Sequence, residues 1–259
     1  GVDVFFVLSG FLITGILLTN HARTGRTASR EFWVRRARRL LPGLLVMLML
    51  CAAWGWFAAP RWELTSLRDQ SFATLLYVQN WYRMFGHPGH APLSHTWSLS
   101  IEEQWYFLWP FLLMGLLLLT RGRRRTLVGA LVALAAASAA LMAWYYGVYG
   151  WGRAYGSTTS RAGELVIGGL IAVWATRGRP IGGRGARTAL EVGAICAVGV
   201  LLVEFATIRA TDGLAYRGGC YLAALATAVI IVAAVQPKPG PTGRVLGLRP
   251  IAAIGLVSY

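Results

Sequence analysis

The fold class this sequence predicts is all-α: a polytopic transmembrane helix bundle. Three observations carry that reading. Hydrophobic residues make up 56 % of the 259, above the roughly 45–50 % of soluble domains. The apolar residues gather into runs near membrane length, roughly 17–25 residues. The basic residues, which give a formal net charge of +15, sit in short stretches between those runs. A nucleic-acid surface would gather them in one patch, so membrane lipids are the expected surroundings.

Apolar runs fall at Val2–Leu18, Leu40–Ala59, Trp97–Leu119, Thr126–Tyr146, Arg161–Thr176, Thr188–Thr207 and Gly218–Val235, and another begins at Ile251. Seven spans and the start of an eighth are expected, within a single domain over residues 1–259 cut at both ends. The runs are too long and continuous for the roughly ten-residue alternating strands of a barrel.

Lys and Arg divide unevenly between alternate loops. Eighteen of the 25 fall in one set, from Arg23–Arg39, Arg121–Arg125, Arg177–Arg187 and Lys238–Arg249. The other seven are Arg61, Arg68, Arg83, Arg153, Arg161, Arg209 and Arg217. The positive-inside rule places the first set in the cytoplasm, as for a plasma- or inner-membrane protein. The first run then enters from outside at Asp3.

The cysteines Cys51, Cys196 and Cys220 lie in apolar runs without a CxxC pair and read as small core residues. The outer loop Pro60–Ser94 carries Trp62, Tyr77, Trp81 and Tyr82. These rings are belt residues or, alternatively, faces for stacking sugars. His87, His90 and His95 match no metal-ligand spacing, so no metal site is expected.

Ionisable groups inside spans are costly and mark candidate sites. Asp3 opens the first run, Glu102 and Glu103 lie about a turn inside the third, and Arg161 and Glu164 open the fifth. All five fall at outer helix ends, which predicts one polar layer near the outer surface. At helical spacing Ser98, Glu102, Trp105 and Trp109 share a face, while Glu103 points about 100° away. Glu102 reads as an acid for proton transfer, or as a strut between helices. Arg161 with Glu164, three residues apart, reads as an ion pair.

Arg35, Arg36, Arg38 and Arg39 crowd the foot of the second run, just before Pro42. They anchor to anionic lipid heads, or they bind a phosphate-bearing donor. Arg36 and Arg39 can face one ligand together. On this reading the arginines and the carboxylates lie at opposite faces of the membrane.

Gly1–Thr14, Arg35–Pro42 and His95–Pro110 together resemble the membrane-bound acyltransferase 3 family, bacterial O-acyltransferases of surface glycans and some antibiotics. Arg161–Gly168 and Gly255–Tyr259 are similar to later segments of that family. The resemblance implies about ten transmembrane helices. It implies transfer of an acyl group, often acetyl, from cytoplasmic acyl-CoA to a hydroxyl on an extracytoplasmic sugar or glycan acceptor. It assigns Arg36 and Arg39, with Arg35 beside them, to the donor. It assigns Asp3 and Glu102, with Glu103 adjacent, to the chemistry. His95, Ser98, Trp105, Arg161 and Glu164 are then candidates for acceptor contact, and no cofactor beyond the donor acyl-CoA is implied. The family's histidine base has no match here, so these 259 residues alone are expected to be inactive.

Neither a His-x4-Asp signature nor a Gly-x-Ser-x-Gly elbow occurs. Ser9-Gly10 reads as small-residue helix packing. The rival class is a glycolipid transporter or flippase, which would show matching broken helices in two halves; the sequence has no such symmetry.

Overall fold

The computed structural model describes residues 1–27, 30–86, 92–176 and 181–257. Among the described residues every regular element is helical. Helix α1 spans Val2–Thr24, α2 Arg30–Phe57, α3 Arg61–Leu75 and α4 Gln79–Met84. A 3-10 turn at Pro92–Thr96 leads into α5, Trp97–Leu119. Next come α6 Arg124–Tyr149, α7 Trp151–Gly156, α8 Thr158–Ala175 and α9 Arg184–Thr207. A kinked turn, Ala215–Gly219, precedes α10 at Cys220–Ala234, and α11 Pro241–Leu246 and α12 Arg249–Val257 end the order.

Among the described residues five segments are long and apolar enough to cross a membrane: α1, α2, α6, α9 and Ala215–Ala234. The chain is therefore a multi-pass membrane protein, but the expected count of seven is not reached on that measure. The two expected spans that fall short are α5 and α8. Each carries charged residues, Glu102 and Glu103 on α5, Arg161 and Glu164 on α8. Position accounts for the polarity of α8. α8 is buried along most of its length, from Ser160 to Val173, and a helix enclosed by protein needs no apolar surface for lipid. Met49, Leu50 and Trp56 on α2 and Leu202, Val203 and Phe205 on α9 are exposed instead, the placement of lipid-facing side chains.

α1 and α8 approach most closely. A Cβ on Gly10 would stand 1.9 Å from the Leu165 carbonyl oxygen, and one on Gly168 would stand 2.0 Å from that of Val7. Backbone meets backbone there, the small-residue contact expected at Ser9-Gly10. Residue pairing then gives the directions. Asp3 meets Arg161 and Thr14 meets Gly169, so α1 and α8 are parallel. Ser9 meets Glu102 and Thr14 meets Trp109, so α5 runs parallel to α1. Arg36 with Glu103 and Trp33 with Phe107 run the opposite way, which makes α2 antiparallel to α5. Ser138 with Ser160 and Tyr145 with Thr159 do the same for α6 and α8.

Two boundaries differ from those expected. α1 continues past Leu18 until Gly25 takes φ 71° and bonds its N–H to the His21 carbonyl. Glycine adopts that conformation without a Cβ clash. His21 thus sits in the last turn of a span. α2 begins at Arg30 rather than near Leu40, so the arginine run is helical and lies inside the bundle's first turns. The charges did not end the helix because a long arginine can point away from an apolar face while its backbone stays helical.

Gly168→Leu should force α1 and α8 apart and destabilise the protein by about 1–3 kcal/mol or more. Gly199, with open space around it, is the control. Thermal unfolding in detergent should fall for Gly168→Leu and stay unchanged for Gly199→Leu.

Candidate functional site: a two-layer polar core

The first polar layer is built on Arg161, which is 1 % exposed. Its Nη1 donates to Asp3 Oδ1 at 2.7 Å and to Glu164 Oε1 at 2.6 Å. Its Nε donates to the Tyr155 carbonyl at 3.2 Å. The expected Arg161–Glu164 pair is present, and Asp3 joins it from α1. One guanidinium thus faces two carboxylates. The second Glu164 oxygen is buried with no hydrogen-bond partner among the described residues. Asp3, Glu164 and Cys220 also bring potential ligand atoms within 4.8 Å of one another, but the guanidinium already bonds both carboxylates there. Tyr155, on short helix α7, lies under that guanidinium at 4.8 Å. Burial pushes its phenol pKa up, and the Arg161 charge pulls the other way.

The second layer lies about 9 Å along α1, six residues at a 1.5 Å rise. Ser9 Oγ donates to Glu102 Oε1 at 2.7 Å, and the Tyr106 hydroxyl donates to the same oxygen. Glu103 points away from Glu102, as its position on α5 predicts, and so faces α2. There it forms a two-pronged pair with Arg36, one prong from Nε at 3.1 Å. The Arg36 guanidinium also lies 3.3 Å from the centroid of the Tyr106 ring. Below this layer Trp105 and Trp109 stack with centroids 4.6 Å apart, and the Trp109 indole donates to Thr14 at 2.8 Å.

This geometry corrects one expectation for one pair. Arg36 and Glu103 are not at opposite faces, because they bind each other. The cause is the early start of α2, which carries Arg36 to the level of the α5 acids. Arg35 and Arg39 are exposed, and Arg35 pairs with Glu31 at 3.4 Å one turn away on its own helix.

Two cavities reach the layers. One of about 460 Å³ is lined by Asp3, Tyr155, Arg161, Glu204, Tyr216 and Cys220, among others. Another of about 380 Å³ lies between α2, α5 and the α3–α4 turn, with Arg36 and Glu103 in its wall and Trp33, Leu40, Leu76 and Phe107 around it. Tyr77 also lines it, at a left-handed φ of 55°, with its carbonyl held by the Gln104 amide at 2.7 Å. Burial raises the Tyr77 phenol pKa, and nearby Glu103 adds to that.

Other candidates lie apart from these contacts. His95 is exposed in the 3-10 turn, and Ser98 is half-buried. Ser9, not Ser98, reaches Glu102. Trp105 is buried with its indole nitrogen unpartnered among the described residues. His87 and His90 lie outside the described residues. The sequence reading missed Ser9 and Tyr106 as site residues. Tyr106 was legible as the residue one turn beyond Glu102 on the same face. It also missed the neutral network of Asn80, Gln104 and Thr158 joining α4, α5 and α8.

A multi-pass bundle with paired charges and an acid held by hydroxyls at its centre is built as a membrane enzyme or carrier would be. The family profile of the acyltransferase domain matches residues 1–259, and the chain belongs to that family. Peptidoglycan O-acetyltransferase OatA of Listeria monocytogenes is 32 % identical over 100 % of this chain and 43 % of its own length. O-acetyltransferase OatA of Staphylococcus aureus is 32 % identical over 100 % of this chain and 44 % of its own. The chain spans less than half the length of these relatives. No solved structure matches it.

Arg161→Met should leave two buried carboxylates without their cation and cost about 3–5 kcal/mol. Arg68→Ala, which breaks the exposed pair with Asp69, should cost about 0–1 kcal/mol. Thermal unfolding of the two variants in detergent measures the difference.

Proposed function

We propose that this chain is the membrane domain of an O-acyltransferase. It takes an acyl group, acetyl by analogy with the relatives' names, from acyl-CoA at the cytoplasmic side. It delivers that group to a hydroxyl of an extracytoplasmic glycan, with peptidoglycan the first acceptor to try. The observation that carries this reading is Glu102: a buried carboxylate, held by two hydroxyl donors, in a layer that one cavity enters beside Arg36 and Glu103.

In this proposal α5 and α8 also cross the membrane, α8 as an interior span, and the arginine-rich loops face the cytoplasm of an inner or plasma membrane. The donor's phosphates meet the exposed arginines Arg39 and Arg35 at the mouth of the α2–α5 cavity. The acceptor enters by the Asp3–Arg161 cavity, where Arg161 and Glu164 orient sugar hydroxyls. Among the described residues His95, Ser98 and Trp105 join none of the side-chain hydrogen bonds of the two layers. Transfer breaks the thioester C–S bond and forms a C–O bond. The acceptor hydroxyl gives its proton to a base, and the departing CoA thiolate takes one up. Glu102 serves that proton transfer at the acceptor, directly or by orienting the base.

Glu102→Gln in the intact protein should lower O-acylation of the glycan by about 10²-fold or more, with insertion and thermal stability kept. Unchanged acylation would remove Glu102 from the chemistry. Arg39→Ala should raise the KM for acyl-CoA several-fold and leave kcat near wild type. An unaltered KM would return Arg39 to lipid anchoring.

A further inference from the structure

Resting on that reading, we propose that Arg36 and Tyr106 form one positioning unit for Glu102, and that Arg36 is not a ligand for the donor's phosphates. Arg36 is bound through both prongs of its guanidinium to Glu103, and both partners are largely buried, at 18 % and 13 % side-chain exposure. A phosphate taking the Nε–Nη2 edge of Arg36 would have to displace Glu103 and leave a carboxylate unpaired beside Glu102, a costly state in a partly buried site.

The second contact of Arg36 gives it a different task. Its guanidinium lies over the Tyr106 ring, 3.3 Å from the centroid, and that ring's hydroxyl is a donor to Glu102. Tyr106 itself is 6 % exposed, so the ring is clamped between α2 and its own helix. The adjacent acids of α5 thereby divide their roles. Glu103 takes the cation. Glu102 makes no salt bridge among the described residues and is held by two neutral hydroxyls, Ser9 from α1 and Tyr106 from α5. An acid held by hydroxyls and spared direct pairing can exchange a proton without breaking an ion pair. The Arg36–Tyr106 stack fixes its position from the side of α2.

Tyr106→Phe separates this from a merely structural role. The variant keeps the ring and its stack under Arg36, and it removes only the hydroxyl. In the intact protein kcat for glycan O-acylation should fall about tenfold to a hundredfold while KM for acyl-CoA stays within about twofold. Arg36→Lys, which loses the two-pronged pair with Glu103 and the planar guanidinium over Tyr106, should show the same split. Combining Tyr106→Phe with Glu102→Gln should add no further loss beyond Glu102→Gln alone, because both act through one carboxylate. Additive losses would assign Tyr106 to packing and overturn the inference. A raised KM for acyl-CoA with kcat unchanged in Arg36→Lys would make Arg36 a donor contact and overturn it too. Wild-type protein without acyl transfer would overturn the proposed function itself. An active wild type with an unaffected Tyr106→Phe would overturn this inference alone.

Discussion

A guanidinium with almost no water around it constrains the rest of the bundle. Taking a charge out of water costs several kcal/mol even after relaxation, so the ion must find partners of opposite charge. Arg161 on α8 finds Asp3 on α1 and Glu164 on its own helix. That contact sets the register of α1 against α8 at one end. Gly10 and Gly168 then let the two backbones close along the next turns, where any side chain would keep them apart. With α1 fixed, Ser9 falls opposite Glu102 and Thr14 opposite Trp109. The second polar layer is therefore placed by the first, through one rigid helix and two glycines.

Much of this was legible in the chain. The membrane class and all-helical fold followed from long apolar runs, and the alternation of directions followed from loop charge. The five ionisable positions within spans all proved to sit in paired or hydrogen-bonded layers. The Arg161–Glu164 pair followed from their three-residue spacing. What was not legible has a common physical cause: sequence reveals which side a residue takes on its own helix, not what faces it from another. Glu103 could be aimed away from Glu102 by periodicity, but its partner Arg36 depended on how far α2 extends before its apolar run. Hydropathy marks the start at Leu40, whereas the backbone hydrogen bonds begin ten residues earlier, because arginine is a good helix former. On hydropathy α8 falls short of a span for a related reason: a helix enclosed by protein needs no apolar surface for lipid.

The buried amides were hidden more deeply. Gln70, Gln79 and Asn80 belong to a stretch whose composition reads as an outer loop, yet all three are fully buried. Neutral polar side chains carry no periodic signature strong enough to separate a solvated loop from a folded-in one. Their partners are needed to tell: Gln79 donates to Gln70, and Asn80 and Thr158 both engage Gln104. This network brings the left-handed turn at Tyr77 against α5 and so shapes the outer wall of the α2–α5 cavity.

Two neighbouring acids with different partners are more useful than two alike. If Glu102 and Glu103 both paired with arginine, neither could take a proton without breaking an ion pair. If neither did, their mutual repulsion in a buried site would force one of them neutral. The helix resolves this by geometry alone. A step of about 100° between successive residues aims one acid at α2 and its cation, the other at α1 and its hydroxyl. Tyr106, one turn further on, touches both arrangements, with its ring on the cation and its oxygen on the acid. A single aromatic residue can thus hold a charged pair and a neutral hydrogen bond in fixed relation. That relation is what a proton-transferring carboxylate requires when its surroundings cannot rearrange as water does.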